Sequence, residues 1–395
     1  MLEPVAKRAI FYIGGYDPKS PQAFFERLQK ESRRFEELVG ADIQAIETKK
    51  VRDDITLTRF TASGETEGKA WQTQTDFHFL TLDDIVLKDF KRPFYTRFGR
   101  SVLTTWDYLL TGTAFKFLAH AWRFFLYFSY PPMAVVLSFV LAWLAARGSM
   151  SLSLPYAPAI ATVVFVLVLF ALVKLVWKRR FVWHLMALWS FSRDYLRRTR
   201  RDIEVKLDGL ADVAIETVKA QEYDEVLFIG HSTGGALILD VAARVHEKDS
   251  YFSARSSKTS ILTVGSTALK IGLHPAAQWY RQRLQKMFDT STINWIEYQC
   301  LSDVINFYKT DPAKLMDLDM TRNSLAAKRP ICRSIRIKQM VSEDVYRRMR
   351  TNFFRIHYQF VFGNTKPYHY DFMGICFGTK SLVERAGGKT VEGQQ

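Results

Sequence analysis

The chain is poor in cysteine. Only Cys300, Cys332 and Cys376 occur in 395 residues, odd in number, widely spaced and in no C-x-x-C arrangement. That excludes a disulfide scaffold and a cysteine-built zinc site, and the three read as buried thiols of a reducing compartment. The N-terminus, Met1-Leu2-Glu3-Pro4-Val5-Ala6-Lys7-Arg8, lacks an apolar run, so no cleavable signal peptide is expected. Zinc-finger spacing, an RNP-like aromatic motif and a P-loop are also missing, and there is no internal repeat. A formal charge of +15 therefore points to an anionic membrane face rather than to nucleic acid.

What the chain does have is apolar sequence in two long runs, residues 122–146 and 156–177, and neither contains Asp or Glu. Each is long enough to cross a hydrocarbon core of roughly 30 Å at about 1.5 Å per residue. The first carries Pro131-Pro132, which predicts a kink or an effective start near Met133, with residues 124–130 near the headgroups. The second is free of charge from 157 to 173, followed by Lys174 and Lys178, placed to snorkel, and Trp177 at an aromatic-belt position. The alternative is a pair of buried core helices, which seldom run this long without a polar face.

Lys88, Lys91, Arg92, Arg97, Arg100 and Lys116 precede the runs and a second basic group from Lys178 to Arg201 follows them, whereas residues 147–155 hold one basic side chain. The positive-inside rule then predicts an integral membrane protein of bacterial inner-membrane type, with both termini and the large flanking regions cytoplasmic. Membrane lipids are the expected partner, and a homo-oligomer formed through the hairpin stays open. Residues 90–108 mix basic and aromatic side chains and read equally as an interfacial segment or as a basic linker.

The most informative motif is Gly230-His231-Ser232-Thr233-Gly234. It lies between the apolar run Val226-Leu227-Phe228-Ile229 and a helically periodic stretch, 236–245. Strand, tight turn and helix with serine at the apex form a nucleophile elbow. Glycines at 230, 234 and 235 remove side chains where strand and helix approach, and the Thr233 backbone N–H is placed to meet a developing oxyanion.

The other segments alternate strand and helix, which predicts an α/β fold with a mostly parallel sheet covered on both faces. A strand at 9–13 ends in Gly14-Gly15-Tyr16, and a helix follows from about 21 to 39. Extended pieces fall near 55–60 and 77–80, and a helix at 203–220 leads into the elbow strand. Further strands fall at 260–264, 293–298 and 333–340, and Ser342 opens a helix. Residues 267–289, with Trp279, Tyr280, Leu284, Met287 and Phe288, read as a helical cap or lid. The expected division is 1–85 and 201–385 for the soluble part, 86–200 for the juxtamembrane segments and hairpin, and 386–395 as a disordered tail.

This order of elements, with its G-H-S-T-G-G elbow, resembles the α/β-hydrolase family over roughly 9–82 and 200–378, the membrane hairpin looking like an insertion. The resemblance implies a chain order of nucleophile, acid, histidine. Ser232 is then the nucleophile. Asp303, in the loop after the strand at 293–298, is the acid, with Asp311 and Asp317 as weaker candidates. His357 is favoured as the base and His369 is the alternative. The second oxyanion donor would be a backbone N–H of Gly15 or Tyr16 beside that of Thr233, a plain Gly-Gly turn being the other reading.

The implied activity is that of a membrane-anchored serine hydrolase cleaving a small-molecule ester or thioester, a lipid or acyl substrate being favoured, with no metal and no organic cofactor. The same groups would serve an acyltransferase if an alcohol replaced water. The rival expectation is a catalytically inactive hydrolase-fold membrane scaffold that binds a partner.

Overall fold

The computed structural model describes residues 4–66, 68–151, 155–256, 258–321 and 330–387. The chain divides into two units, one made of Met1–Leu87 with Tyr195–Gln395, the other of Lys88–Asp194.

The first unit is α/β, built on an eight-stranded sheet. Its strands are β1 (Lys7–Ile13), β2 (Asp42–Arg52), β3 (Ile55–Thr66), β4 (Lys69–Leu80), β5 (Glu225–His231), β6 (Lys258–Val264), β7 (Asn294–Cys300) and β8 (Ile331–Ile335), in the order β2-β3-β4-β1-β5-β6-β7-β8. From β4 to β8 every pair is parallel, whereas β2, β3 and β4 form an antiparallel edge. β5 is buried at every position and β1 at all but its first, the pattern of strands covered on both faces. The helix Pro21–Val39 starts with Ser20 Oγ accepting from Ala23 N and stops at Gly40, whose φ of 66° closes the last turn onto Glu36. It buries Phe24, Phe25, Leu28 and Phe35 in the main core.

Three sequence expectations change here. The extended pieces at 55–60 and 77–80 are parts of two twelve-residue strands, and β2 had no signal because it is exposed at ten of eleven positions. The strand expected at 333–340 is Ile331–Ile335, and Ile337–Met340 turns into a short helix. The disorder expected from 386 does not hold for its first two residues, because Ala386 and Gly387 belong to the helix Leu382–Gly387 and the Ala386 carbonyl accepts from Arg333 Nε at 2.7 Å. The rest of that tail lies outside the described residues. Cys300 and Cys376 are buried, Cys332 is half-buried, and all three are free thiols.

Three buried ionisable residues, Arg8, Glu225 and Glu297, sit within the sheet. Arg8 Nε on β1 donates to Glu225 Oε2 on β5 at 2.6 Å, both side chains fully covered. The remaining capacity is used too, with Arg8 Nη1 donating to the Cys376 carbonyl and Leu382 N donating to Glu225 Oε1, the condition under which a buried pair is tolerated. Glu297 on β7 accepts from Thr263 Oγ1 at 2.9 Å and Gln299 Nε2 at 3.1 Å, and burial pushes its carboxyl from 4.5 up to about 7. Between those values the folded chain binds the proton and the unfolded chain does not. The contribution of Glu297 is thus fully present below about pH 4.5 and lost as pH rises through 7. Glu297→Gln is expected to match wild type in urea unfolding at pH 4 and to exceed it by on the order of 3 kcal/mol at pH 8.

The second unit is helical. It contains Phe94–Leu110, Thr113–His120, Trp122–Met150, Ala157–Ala171 continuing as a π-helical turn over Leu172–Trp177, and most of Val182–Leu196. Trp122–Met150 and Ala157–Trp177 are long and apolar enough to cross a membrane. They run antiparallel as a hairpin: Tyr130 OH donates to the Arg180 carbonyl, Trp177 Nε1 donates to Ser138 Oγ at 2.9 Å, and Phe139 meets Phe165 further along. The first helix passes unbroken through Pro131-Pro132 and starts at Trp122, not near Met133. Tertiary packing overrides the breaker, since Phe124, Tyr127 and Phe128 are held in an aromatic cluster around Trp189, with ring centroids 4.9 to 5.8 Å away. Residues 90–108 contribute most of the helix Phe94–Leu110, with Tyr108 buried and Tyr95 and Trp106 exposed.

Candidate active site

The site is assembled at the carboxyl ends of β1, β5, β6 and β7. β5 ends at His231 and the helix Thr233–Lys248 begins two residues later, which leaves Ser232 alone to make the turn. Its φ of 58° and ψ of −124° are costly for a residue with a side chain. Three backbone bonds hold it there: Ser232 N donates to the Val264 carbonyl, and Gly235 N and Thr267 N donate to the Ser232 carbonyl. Ser232 is half-buried while both its neighbours are buried.

The glycines around it are required by contact distances. A Cβ on Gly230 would lie 2.4 Å from the Gly234 carbonyl oxygen, and one on Gly234 would lie 2.1 Å from that of Ile13. The elbow helix therefore begins directly against the end of β1. The loop that follows β1 touches the serine, because a Cβ on Gly15 would meet Ser232 Cβ at 3.3 Å and Oγ at 3.5 Å. Gly15 and Thr233 thus flank Ser232 from two elements, and Tyr16 is buried beside Gly15 in sequence.

Asp303 and His357 are brought together from residues 54 apart. His357 Nδ1 donates to Asp303 Oδ2 at 2.7 Å, with both side chains buried. The acid is braced in its loop: Asp303 Oδ1 accepts from Ile305 N at 2.9 Å, and Asn306 Nδ2 donates to the Asp303 and Cys300 carbonyls. His357 Nε2 is buried and has no hydrogen-bond partner. The ring packs at the Val264–Gly265 corner, where a Cβ on Gly265 would lie 3.1 Å from His357 Cε1. Ser232 N is bonded to that same corner.

The remaining candidates lie apart. The His369 ring lies tilted against that of Tyr368, centroids 4.1 Å apart, and neither of its ring nitrogens has a hydrogen-bond partner. Asp311 caps a short helix by accepting from Lys314 N, and Asp317 lies beyond that helix in a left-handed turn.

Two residues of this neighbourhood carried no sequence signal. His231 faces His357, ring centroids 4.6 Å apart, and its Nε2–H donates to the His357 carbonyl at 3.1 Å. Burial holds its basicity well below the ordinary imidazole value, with the neighbouring His357 adding to the effect. It is thus a neutral donor that fixes the backbone of the histidine. Lys270, fully buried after β6, donates from Nζ to Thr233 Oγ1 at 3.2 Å. Both depend on contacts between distant segments.

Burial depresses the Lys270 ammonium from 10.5 to about 7. Its contribution to stability is therefore present above about pH 10.5 and lost as pH falls through 7, where the charge must be held inside. Relative to wild type, Lys270→Met is expected to gain most in thermal stability at pH 6, and the gap should close toward pH 10. A gap that does not change with pH would show that the amine is not buried as described.

The segment expected to be a lid is part of the packed interior. The helix Gln278–Thr290 buries Tyr280, Leu284, Met287 and Phe288, and Tyr280 OH donates to the Ala236 carbonyl in the elbow helix. Its apolar spacing is that of a helix face committed to a neighbour. Among the described residues no group of three His, Cys, Asp or Glu side chains is placed to hold a metal ion. No family model, curated protein or solved structure matches the chain, so its chemistry is argued from the site.

Proposed function

We propose that the chain is a serine hydrolase of α/β-hydrolase type, anchored by its apolar hairpin, that cleaves a carboxylic ester or thioester. The observation that carries this reading is the buried Asp303–His357 bond, with the opposite imidazole nitrogen unpartnered, next to a serine held in a strained elbow. A carboxylate on Nδ1 fixes the tautomer that leaves Nε2 basic, which is what a general base toward a hydroxyl requires. Hydrogen bonds of this kind are often loose without substrate and tighten in the complex.

In this mechanism Ser232 Oγ attacks the acyl carbonyl while His357 Nε2 takes its proton, and Asp303 stabilises the imidazolium. The tetrahedral oxyanion is met by the N–H of Thr233, at the positive end of the elbow helix, together with an N–H from the Gly15-Tyr16 loop. Collapse returns the proton to the leaving alcohol or thiol. Water then repeats the sequence and releases the acid. The two apolar helices and the basic residues around them favour a membrane-derived acyl substrate, with the catalytic unit on the cytoplasmic face.

The test is fluorophosphonate labelling of detergent-solubilised full-length chain, with mass mapping of the adduct. Phosphonylation of Ser232 is the expected result. An unlabelled wild-type chain that is folded by circular dichroism would favour the inactive scaffold.

A further inference from the structure

A cavity of about 870 Å³ opens within the Lys88–Asp194 unit. One wall is the second apolar helix, with Val166, Leu169, Phe170 and Val173 lining it at helical spacing. At the end of that wall the backbone changes from α to π geometry over Leu172–Trp177, a local widening that recurs where helices serve a site. Lys174 and then Lys178 continue the same lining. From Val166 to Lys174, about 12 Å at about 1.5 Å per residue, the surface passes from hydrocarbon to ammonium.

The rest of the lining includes Phe94, Arg97, Trp183 and His184. The Arg97 guanidinium lies over the Trp183 ring, 4.7 Å from its centroid, and Phe94 meets the same ring edge-on at 5.2 Å. Those contacts hold a cation at the cavity by a rigid aromatic platform. No Asp or Glu lines the cavity. The unit does contain acids, and Arg92, Arg100 and Arg193 are paired with them elsewhere. Lys174 and Lys178 make no ion pair among the described residues.

Two exposed lysines and the arginine on its aromatic platform, beside an apolar cavity whose lining holds no carboxylate, call for an anion that carries its own hydrocarbon. Inorganic phosphate would leave the apolar wall wet. A zwitterionic lipid would bring a second cation toward the lysines. We propose that the cavity seats one anionic glycerophospholipid, its phosphate at Arg97, Lys174 and Lys178 and an acyl chain along Val166, Leu169 and Phe170. This rests on reading the two apolar helices as membrane spans, and is independent of the serine chemistry.

The experiment uses full-length chain in phosphatidylcholine vesicles carrying a minor share of dibrominated phosphatidylglycerol or, in parallel, dibrominated phosphatidylcholine. Tryptophan emission is the readout, because bromine quenches at contact and Trp183 lines the cavity. Stronger quenching by the anionic lipid is expected, with Trp183→Phe removing much of the difference. Lys174→Gln with Lys178→Gln should weaken the apparent affinity for the anionic lipid about 30-fold. Equal quenching by both lipids would overturn the site. Release of the chain from native membranes by alkaline carbonate would overturn the span reading beneath it, whereas loss of fluorophosphonate labelling bears on neither.

Discussion

Replacing Ser232 by Ala is expected to abolish fluorophosphonate capture and to lower ester turnover by roughly a million-fold, the scale on which a hydrolase loses its nucleophile. His357→Ala should cost nearly as much, because nucleophile and base act as a unit. His369→Ala should stay within a factor of about two, the range of a substitution remote from the chemistry. The asymmetry follows from geometry: His357 has an acid on one nitrogen and an unpartnered second nitrogen, whereas His369 has only a ring neighbour. Asp303→Asn keeps the size of the side chain but favours the wrong imidazole tautomer, and should reduce turnover roughly 10⁴-fold. Unaltered turnover in His357→Ala, with the protein still folded, would remove the proposed base.

The second large effect is structural. Gly234→Ala would bring a methyl group to 2.1 Å from the Ile13 carbonyl oxygen and 2.4 Å from that of Gly14. Neither atom can swing aside, since both belong to the backbone where β1 meets the elbow helix. The loop carrying Gly15 would have to move away from Ser232. A loss of about 3 kcal/mol or more in denaturant unfolding is expected, together with loss of phosphonate labelling. Gly235→Ala provides the comparison, because its new methyl would meet Ser266 Oγ at 2.3 Å and Cβ at 2.8 Å; the hydroxyl can rotate and Cβ must shift by a few tenths of an ångström, so a smaller loss of about 1 to 2 kcal/mol is expected. The reverse ranking would show that β1 and the elbow do not meet as described.

The local features of the site were legible because they depend on neighbours in sequence. A fully apolar tetrad before Gly230 and helical spacing after Gly234 have one compact reading, and β5 and its helix fall where that reading puts them. Asp303 could be singled out for its place after a strand, but the choice between His357 and His369 could not be made from spacing. It turns on which imidazole reaches an acid from 54 residues away. His231 and Lys270 were silent for a related reason, since their importance lies in the His357 carbonyl and the Thr233 hydroxyl that they touch. β2 was missed because hydrophobic periodicity reports a buried face, and a strand exposed at all but Ile43 is held mainly by its pairing with β3. The lid expectation erred in the opposite sense. An apolar stripe says that a helix is covered and not what covers it.

The position of β1 has a consequence for how the protein is made. β1 pairs with β4 on one side and β5 on the other, yet the whole of Lys88–Asp194 and the helix Arg201–Ala220 are synthesised between those two partners. While the ribosome works through them, the nascent sheet holds β1 with one backbone edge open, a template for pairing with any other extended chain. The buried Arg8 is then without Glu225, and the segment that supplies its carbonyl partners, through Lys380, comes later still. Until β5 arrives, an unsatisfied charge keeps that edge hydrated and disfavours its burial against a stranger.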